Sequence, residues 1–549
     1  MIGGILAGQA IAQAGVKCVY TLCGGHVAPI YIGLKMSGVD IVDMRHEAAA
    51  AHAADAYGRL TGVPGVAIVT AGPGITNAVT GIANAYEAES PMVVIGGKVG
   101  MARLNQASLQ EMDQLALMDS ITKWRECVYD TARIPEYLAR AFHIASTGRR
   151  GPVFLEIPID LLLQQAESKH PGPAPVNPDE GLSLPNPADI ETLAGWLNEA
   201  KKPVIMGGAA IHWDNAHEAL DAFARQTGIP IYLNGLGRGT LPSTHPNFCS
   251  RTRKKALSSG DLIITLGADA DFRLGYGRGF NPDAKVVQVD PDAFRVRFNV
   301  QPDLFLIGNA RLTLQHLTKA LSGMAPKTDW LEELRAQEDV ALDGLKDELE
   351  SDIYPVNPNR FGNEVAKVVD ADTIVVGDGG NIVAATSKFV PLFGPGRWMD
   401  PGKFGCLGVG MPFAIAAQQL NPDKKVLVVF GDGSVGFNGF EIDTAVRFKM
   451  PIVGIVGNDA AWTQIRAAQL EAAGEEFAVA TQLAPTRYDQ FCVGLGGLGY
   501  HVESADQIAP TLEKAFEEAR AQGKPAIINV PVDADLNGRG VSYIAAGMA

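Results

Sequence analysis

The residues best suited by type and spacing to do chemistry are two aspartates. Asp432 stands in Gly431-Asp432-Gly433-Ser434, directly after the apolar run 426–430. Asp459 stands in Gly457-Asn458-Asp459, directly after the next apolar run, 452–456. Glycines beside an aspartate let the backbone approach a phosphate closely. Two hard oxygen side chains at one edge suit a small divalent cation that keeps a diphosphate in place. A second Gly-Asp-Gly, at 377–379, has no Asn-Asp pair closing the run after it and reads as an acidic turn. The third carboxylate of interest is Glu47, which opens an alanine-rich segment after Met44-Arg45-His46. Gly24-Gly25-His26 and Thr70-Ala71-Gly72-Pro73-Gly74-Ile75-Thr76-Asn77 likewise follow apolar runs, at 18–22 and 65–70.

These groups can meet only if their strands run side by side. The runs 426–430 and 452–456, with a helix-like segment at about 439–448 between them, form one βαβ unit. Such a unit is parallel and delivers both strand ends to the same sheet edge, where ligands of open α/β sheets bind. Apolar runs at 18–22, 41–43, 65–70, 92–95 and 153–157 alternate with helical segments in the same way. That pattern predicts a parallel sheet covered on both faces. The Pro-rich stretch 168–188 reads as a linker. A second α/β segment has runs at 203–206, 262–266 and 286–289 and closes on a charged helical stretch, 328–351. The expected fold is α/β, with three doubly wound parallel-sheet domains at 1–167, 189–345 and 355–549. The first and third have similar layout without a sequence repeat.

A chain of 549 residues exceeds a single core. With 47% hydrophobic and 19% charged residues it reads as compact and soluble, and no long uncharged apolar stretch suggests a membrane partner. The N-terminal segment lacks a basic flank and reads as a first helix rather than a signal peptide. Six cysteines without metal-like spacing suggest reduced core thiols and a cytoplasmic setting. The net charge of −15 argues against nucleic acid and requires any anionic substrate to find a local basic patch.

The GDG…ND spacing resembles the thiamine diphosphate (ThDP) motif, in which an asparagine pair follows GDG; here Asp459 takes the place of the second asparagine. Both are oxygen donors, so the resemblance implies ThDP and Mg²⁺ as cofactors. It implies Asp432, Asp459 and the Ala461 carbonyl as metal ligands, and Gly431, Gly433, Ser434 and Asn381 around the diphosphate. The loops of the first segment resemble the pyrimidine-binding domain of these enzymes. Glu47 would share a proton with the aminopyrimidine nitrogen, an acid–base role, and Pro73 and Asn77 would line the ring. Gly405-Cys406-Leu407-Gly408-Val409-Gly410 resembles the segment that bends the cofactor, with Leu407 as the wedge and the Gly405 carbonyl as the amine's partner. Trp462 and Gln464 would face the same cavity. In such enzymes one subunit contributes Glu47 and the other Asp432, so a homodimer is the minimum and a homotetramer the expected assembly.

Within the acetolactate synthase-like superfamily, TLCGGHVAPIY, TAGPGITNAV, LQEMDQLALMDSITKW and VGNDAAWTQI are similar to 2-hydroxyacyl-CoA lyases, and also to benzaldehyde lyase and oxalyl-CoA decarboxylase. The implied reaction is reversible cleavage of a 2-hydroxyacyl-CoA to formyl-CoA and an aldehyde or ketone. His26 and Gln110 would orient the substrate. Basic residues near the central strands, Arg251, Arg253, Lys254 and Lys255, then Arg273, Arg278, Arg295 and Arg297, are candidates for the CoA phosphates. Asp290 matches an adenosine-contacting position, and Gly308-Asn309 departs from the usual Gly-Asp. CoA, ADP, a flavin or no ligand are the alternatives for this domain. The glycine-rich tail after Asn537, with Arg539, Tyr543 and Ile544, would close over CoA. The rival readings are a carboligase acting on free aldehydes or 2-keto acids, like benzaldehyde lyase or acetolactate synthase, and a non-catalytic ThDP-fold binding or regulatory subunit.

Overall fold

The computed structural model describes residues 1–177, 181–293 and 299–539. Its apolar runs, rich in Val and Ile, become strands buried on both faces between helices. The first sheet comprises β1 (Cys18–Thr21), β2 (Asp40–Asp43), β3 (Gly65–Val69), β4 (Met92–Lys98), β5 (Arg125–Cys127) and β6 (Pro152–Pro158). The central sheet comprises β7 (Pro203–Gly207), β8 (Ile231–Leu233), β9 (Leu262–Leu266), β10 (Lys285–Asp290) and β11 (Leu304–Ile307). The third comprises β12 (Thr373–Asp378), β13 (Trp398–Met399), β14 (Lys425–Gly431), β15 (Val453–Asn458), β16 (Leu498–His501) and β17 (Ala526–Pro531). Every pairing in these sheets is parallel, so each sheet presents all its strand ends at one edge.

The strand orders are β2-β1-β3-β4-β6-β5, β11-β10-β9-β7-β8 and β13-β12-β14-β15-β17-β16. Counted from its own first strand, the third sheet repeats the order of the first. In both, the order reverses between the first and third strands, a topological switch point of the kind that holds ligands.

The first and third domains share a core. Helix Glu47–Thr61 (EAAAAHAADAYGRLT) buries Ala49, Ala50, Ala53, Ala54 and Ala56 completely, in one cluster with Phe413, Ala414 and Ala417 of helix Gly410–Leu420. The small side chains let the two helix backbones approach. Buried polar groups tie the junction: Arg59 makes paired bonds to Asp55 at 2.7 and 2.8 Å, and Asn84 donates to the same carboxylate at 2.8 Å. Arg59 then donates to the Asp400 carbonyl at 2.6 Å, and the thiol of Cys406 meets Asn84 Oδ1 at 3.2 Å. His52 lies in this interface edge-on to Phe413, 1% exposed.

Three local expectations are corrected. The helix after Gly431 begins at Asp432 itself, as Asp432–Asn438, and a break at Gly439–Phe440 separates it from Glu441–Arg447. Asn381 opens helix Asn381–Thr386 rather than lying in a loop. The short strands β5, β8, β11, β13 and β16, not among the runs singled out from the sequence, flank the longer ones.

Candidate functional site

β14 and β15 are neighbours, with Gly431 opposite Gly457, so Asp432 and Asp459 emerge side by side. Asp432 is 3% exposed; its Oδ1 accepts from Gly433 N–H at 2.8 Å, while its Oδ2 has no hydrogen-bond partner. Asp459 Oδ1 accepts from Ala461 N–H at 3.2 Å, and Oδ2 accepts from Asn537 Nδ2 at 2.6 Å. Burial, then the neighbouring Asp459, pushes the Asp432 carboxyl up to about 7, and burial also raises Asp459. A buried and a half-buried carboxylate, both raised by burial and one with an unused oxygen, are what a divalent cation would relieve. A Cβ on Gly433 would strike the Trp462 ring at 2.3 Å, so the indole packs directly on that backbone.

The other Gly-Asp-Gly ends β12, with Asp378 opposite Phe430 in the register. Both Asp378 carboxylate oxygens are taken, by Gly408 N–H at 3.0 Å and Gly410 N–H at 2.7 Å. Burial pushes this carboxyl up to about 7 as well. The two motifs therefore differ by partner: Asp378 is spent on backbone and Asp432 keeps a free oxygen.

A cavity of about 1010 Å³ joins these loops. Asn381, Gly405, Leu407, Gly431 to Ser434, Asp459, Ala461, Trp462 and Gln464 all line it, and so do Arg253 and Arg273 of the central domain. Asn381 spends its amide on the Asn537 carbonyl at 2.7 Å. Arg253 donates to the Arg273 carbonyl, and Arg273 pairs with Asp271 at 2.6 Å.

The remaining basic candidates do not converge there. Arg251 turns to Glu338 and the Lys388 carbonyl, and Lys254, Lys255 and Arg278 are exposed away from the lining. Asp290 caps the turn to Asp292 at 2.8 Å, and burial pushes it up to about 7 without placing it in the cavity wall. Asn309 caps helix Ala310–Ala320. Arg539 is exposed. Arg295, Arg297, Tyr543 and Ile544 lie outside the described residues.

At the first sheet's edge, Glu47 is the first residue of its helix, 6% exposed, and accepts from Asn77 Nδ2 at 3.0 Å. Pro73 opens helix Pro73–Glu87, and it and Asn77 are exposed beside the glutamate. His26 Nδ1 meets Thr70 Oγ1 at 3.2 Å, and Thr70 donates to Gln110 Oε1 at 3.3 Å. Burial lowers the His26 pKa below its usual value, with Gln110 opposing, so the ring is neutral at pH 7. Gln114, legible only as part of a motif, is buried and holds the Gly72 N–H at 2.8 Å while donating to Glu156 at 2.9 Å.

No residue of the first sheet's loops lines the large cavity among the described residues. Helix geometry explains why. The Asp55 turn lies against Asn84 and Cys406, and Glu47 stands eight residues earlier, about 12 Å along the axis. Glu47 of the same chain therefore lies outside the cavity wall that Leu407 lines.

The fold and these edges define a three-domain α/β protein with a cavity at the third sheet's edge, and sequence comparison names the cofactor of its family. Residues 3–117, 190–317 and 378–530 match the N-terminal TPP binding, central and C-terminal TPP binding domains of thiamine pyrophosphate enzymes. The chain belongs to this family and is a ThDP-dependent enzyme. It is 35% identical to acetolactate synthase large subunit IlvG of Mycobacterium tuberculosis over 97% of this chain and 96% of that protein. It is 35% identical to 2-hydroxyacyl-CoA lyase 2 of Danio rerio over 96% of this chain and 91% of that one. The human 2-hydroxyacyl-CoA lyase 2 is 33% identical over 96% and 89%. Among the described residues no helix is long and apolar enough to cross a membrane.

Proposed function

We propose that the enzyme is a Mg²⁺-dependent carbon–carbon lyase that cleaves a 2-hydroxyacyl-CoA to formyl-CoA and an aldehyde or ketone, reversibly. The observation that carries this reading is the single cavity running from Asp432 and Leu407 to Arg253 and Arg273, which offers room and cations for a polyanionic carrier beside the cofactor loops. The lyase relatives support it.

ThDP, when bound, supplies the electron sink for breaking the bond next to the carbonyl carbon. Asp432, Asp459 and the Ala461 carbonyl hold the cation; Gly431, Gly433, Ser434 and Asn381 surround the diphosphate. Leu407 would be the wedge against the cofactor, the Gly405 carbonyl would accept from its amine, and Trp462 would close the wall. Glu47, steadied by Asn77, holds the proton shared with the ring nitrogen. With Thr70 donating to Gln110, His26 Nδ1–H donates to Thr70, which leaves a neutral Nε2 to accept the substrate hydroxyl proton. Because Glu47 lies outside the cavity wall that Leu407 of the same chain lines, the working site combines Glu47 of one copy with Asp432 of another, so the smallest active unit is a dimer.

A second reading, acetolactate-synthase-like condensation of 2-keto acids, is favoured by the mycobacterial relative. Incubation with a 2-hydroxyacyl-CoA should release formyl-CoA and aldehyde in equal amounts. Alanine at Arg253 or Arg273 should raise KM for the CoA substrate and not for a free aldehyde. Turnover of pyruvate to acetolactate with none of the CoA ester would overturn the lyase reading in favour of the second.

A further inference from the structure

Asp378 is a buried carboxylate at the third sheet's edge with no part in the proposed metal site. It is 1% exposed, and no basic side chain pairs with it among the described residues. Its two oxygens accept the N–H groups of Gly408 and Gly410, at the entrance to helix Gly410–Leu420. A carboxylate there is favoured by the helix dipole and satisfies N–H groups that would otherwise be orphaned.

The same residue is tied to the diphosphate loop: the Ser434 hydroxyl lies 2.7 Å from both the Asp378 and the Gly431 carbonyls and shares its one proton between them. Asn438, at the end of the helix that Asp432 opens, donates to the Gly408 carbonyl at 2.7 Å. Gly408 has φ +92°, and a Cβ there would strike Phe437 at 2.6 Å and Asn438 at 2.8 Å. Leu407 precedes this glycine directly. Its position relative to Asp432 is therefore fixed by two tethers, one through Asp378 and one through Asn438.

We propose that Asp378 is a positioning residue that holds the Leu407 wedge in register with the diphosphate-binding loop. The inference rests on Leu407 being the wedge of the site proposed above. Asparagine is the informative replacement. An amide offers one acceptor where two N–H groups wait and sets its own NH₂ against one of them.

The test compares Asp378→Asn, Leu407→Ala and the double variant in the full-length protein. In apo protein, amide hydrogen exchange over residues 404–412 should quicken in Asp378→Asn. ThDP and Mg²⁺ affinities should stay within about twofold, because Asp432 and Asp459 are intact. Exchange of the ThDP C2 proton should slow by roughly ten- to a hundredfold, the scale of one buried polar mismatch. Leu407→Ala should show the same split, and the double variant should be no worse than Leu407→Ala alone.

If Asp378→Asn does not fold, Asn438→Ala, which cuts the second tether, should give the same split at smaller size. Unchanged C2 exchange would overturn the proposal. So would loss of cofactor affinity in step with the slowed exchange, or additive effects in the double variant. C2 exchange needs no substrate, so failure of the lyase reading would show instead as absent formyl-CoA from a wild-type protein whose C2 exchange is normal.

Discussion

At the first sheet's edge, the order β2-β1-β3-β4-β6-β5 presents a single helix-opening carboxylate, Glu47, whose partner is the Asn77 amide. At the third sheet's edge, the same order counted from β12 presents two aspartates on adjacent strands, Asp432 and Asp459, one with an oxygen unused. A lone carboxylate beside an amide can share a proton. A pair raised by burial, in which Asp459 also raises Asp432, is one that a cation would relieve. Topology sets where the loops arrive, and the few residues in each loop decide what chemistry that edge can carry.

The sharpest way to break that division is at Glu47. Glu47→Gln should cut turnover by roughly 10²–10⁴-fold, the range of a lost acid–base group, with ThDP and Mg²⁺ affinity unchanged. Loss of metal binding instead would show that the edges are not separate.

Asp459→Ala should raise the half-saturating Mg²⁺ concentration by at least the roughly 10–100-fold that loss of even an outer partner costs. Asp459→Asn, which keeps one oxygen, should do less, and Asp378→Ala should leave the metal requirement alone. Equal metal dependence of Asp378→Ala and Asp459→Ala would reverse the assignment of the two Gly-Asp-Gly motifs.

If the two edges work in trans, mixing Glu47→Gln with Asp432→Ala protein under subunit exchange should recover up to about a quarter of wild-type activity. This follows from random pairing that leaves one intact site per mixed dimer. Activity no higher than the sum of the two parents, despite proven exchange, would confine each site to one chain.

The smallest effect concerns the seam between the two domains. Burial lowers the His52 pKa from 6.5 to about 4, so the ring is neutral in the fold and must be protonated as acid unfolds the chain. Its stabilising contribution is complete above pH 6.5 and is lost as pH falls towards 4, by about 3 kcal/mol. His52→Leu should flatten the loss of stability between pH 7 and 4, read from denaturant midpoints. An unchanged slope would place the acid sensitivity elsewhere.

Much of this was legible in the sequence, because fully buried parallel strands must be written as unbroken apolar runs and their ends carry the loops. The two-residue β13 and the three-residue β5 were not, since so short a strand leaves no periodic run to read. Glu47, Asp432 and Asp459 could be singled out from local context alone. Asp378 did not: its role lies in bonds to residues 30 and 32 positions away, which only tertiary structure creates. The basic clusters misled for a related reason. Arg251 and Arg253 are neighbours in sequence, yet one reaches Glu338 and the other the cavity.

The amide of Asn537 closes on Asp459 from 78 residues further along, with β16 and β17 laid down in between. Its carbonyl, in turn, receives the amide of Asn381. A nascent or clipped chain that stops after β15 would therefore carry both aspartates and still lack the residue that holds one of them. Such a fragment can possess the complete Gly-Asp-Gly and Asn-Asp signature and yet have an unfinished Asp459 loop. In this molecule the Asp459 loop gains its last partner only once synthesis has passed the final strand of the sheet.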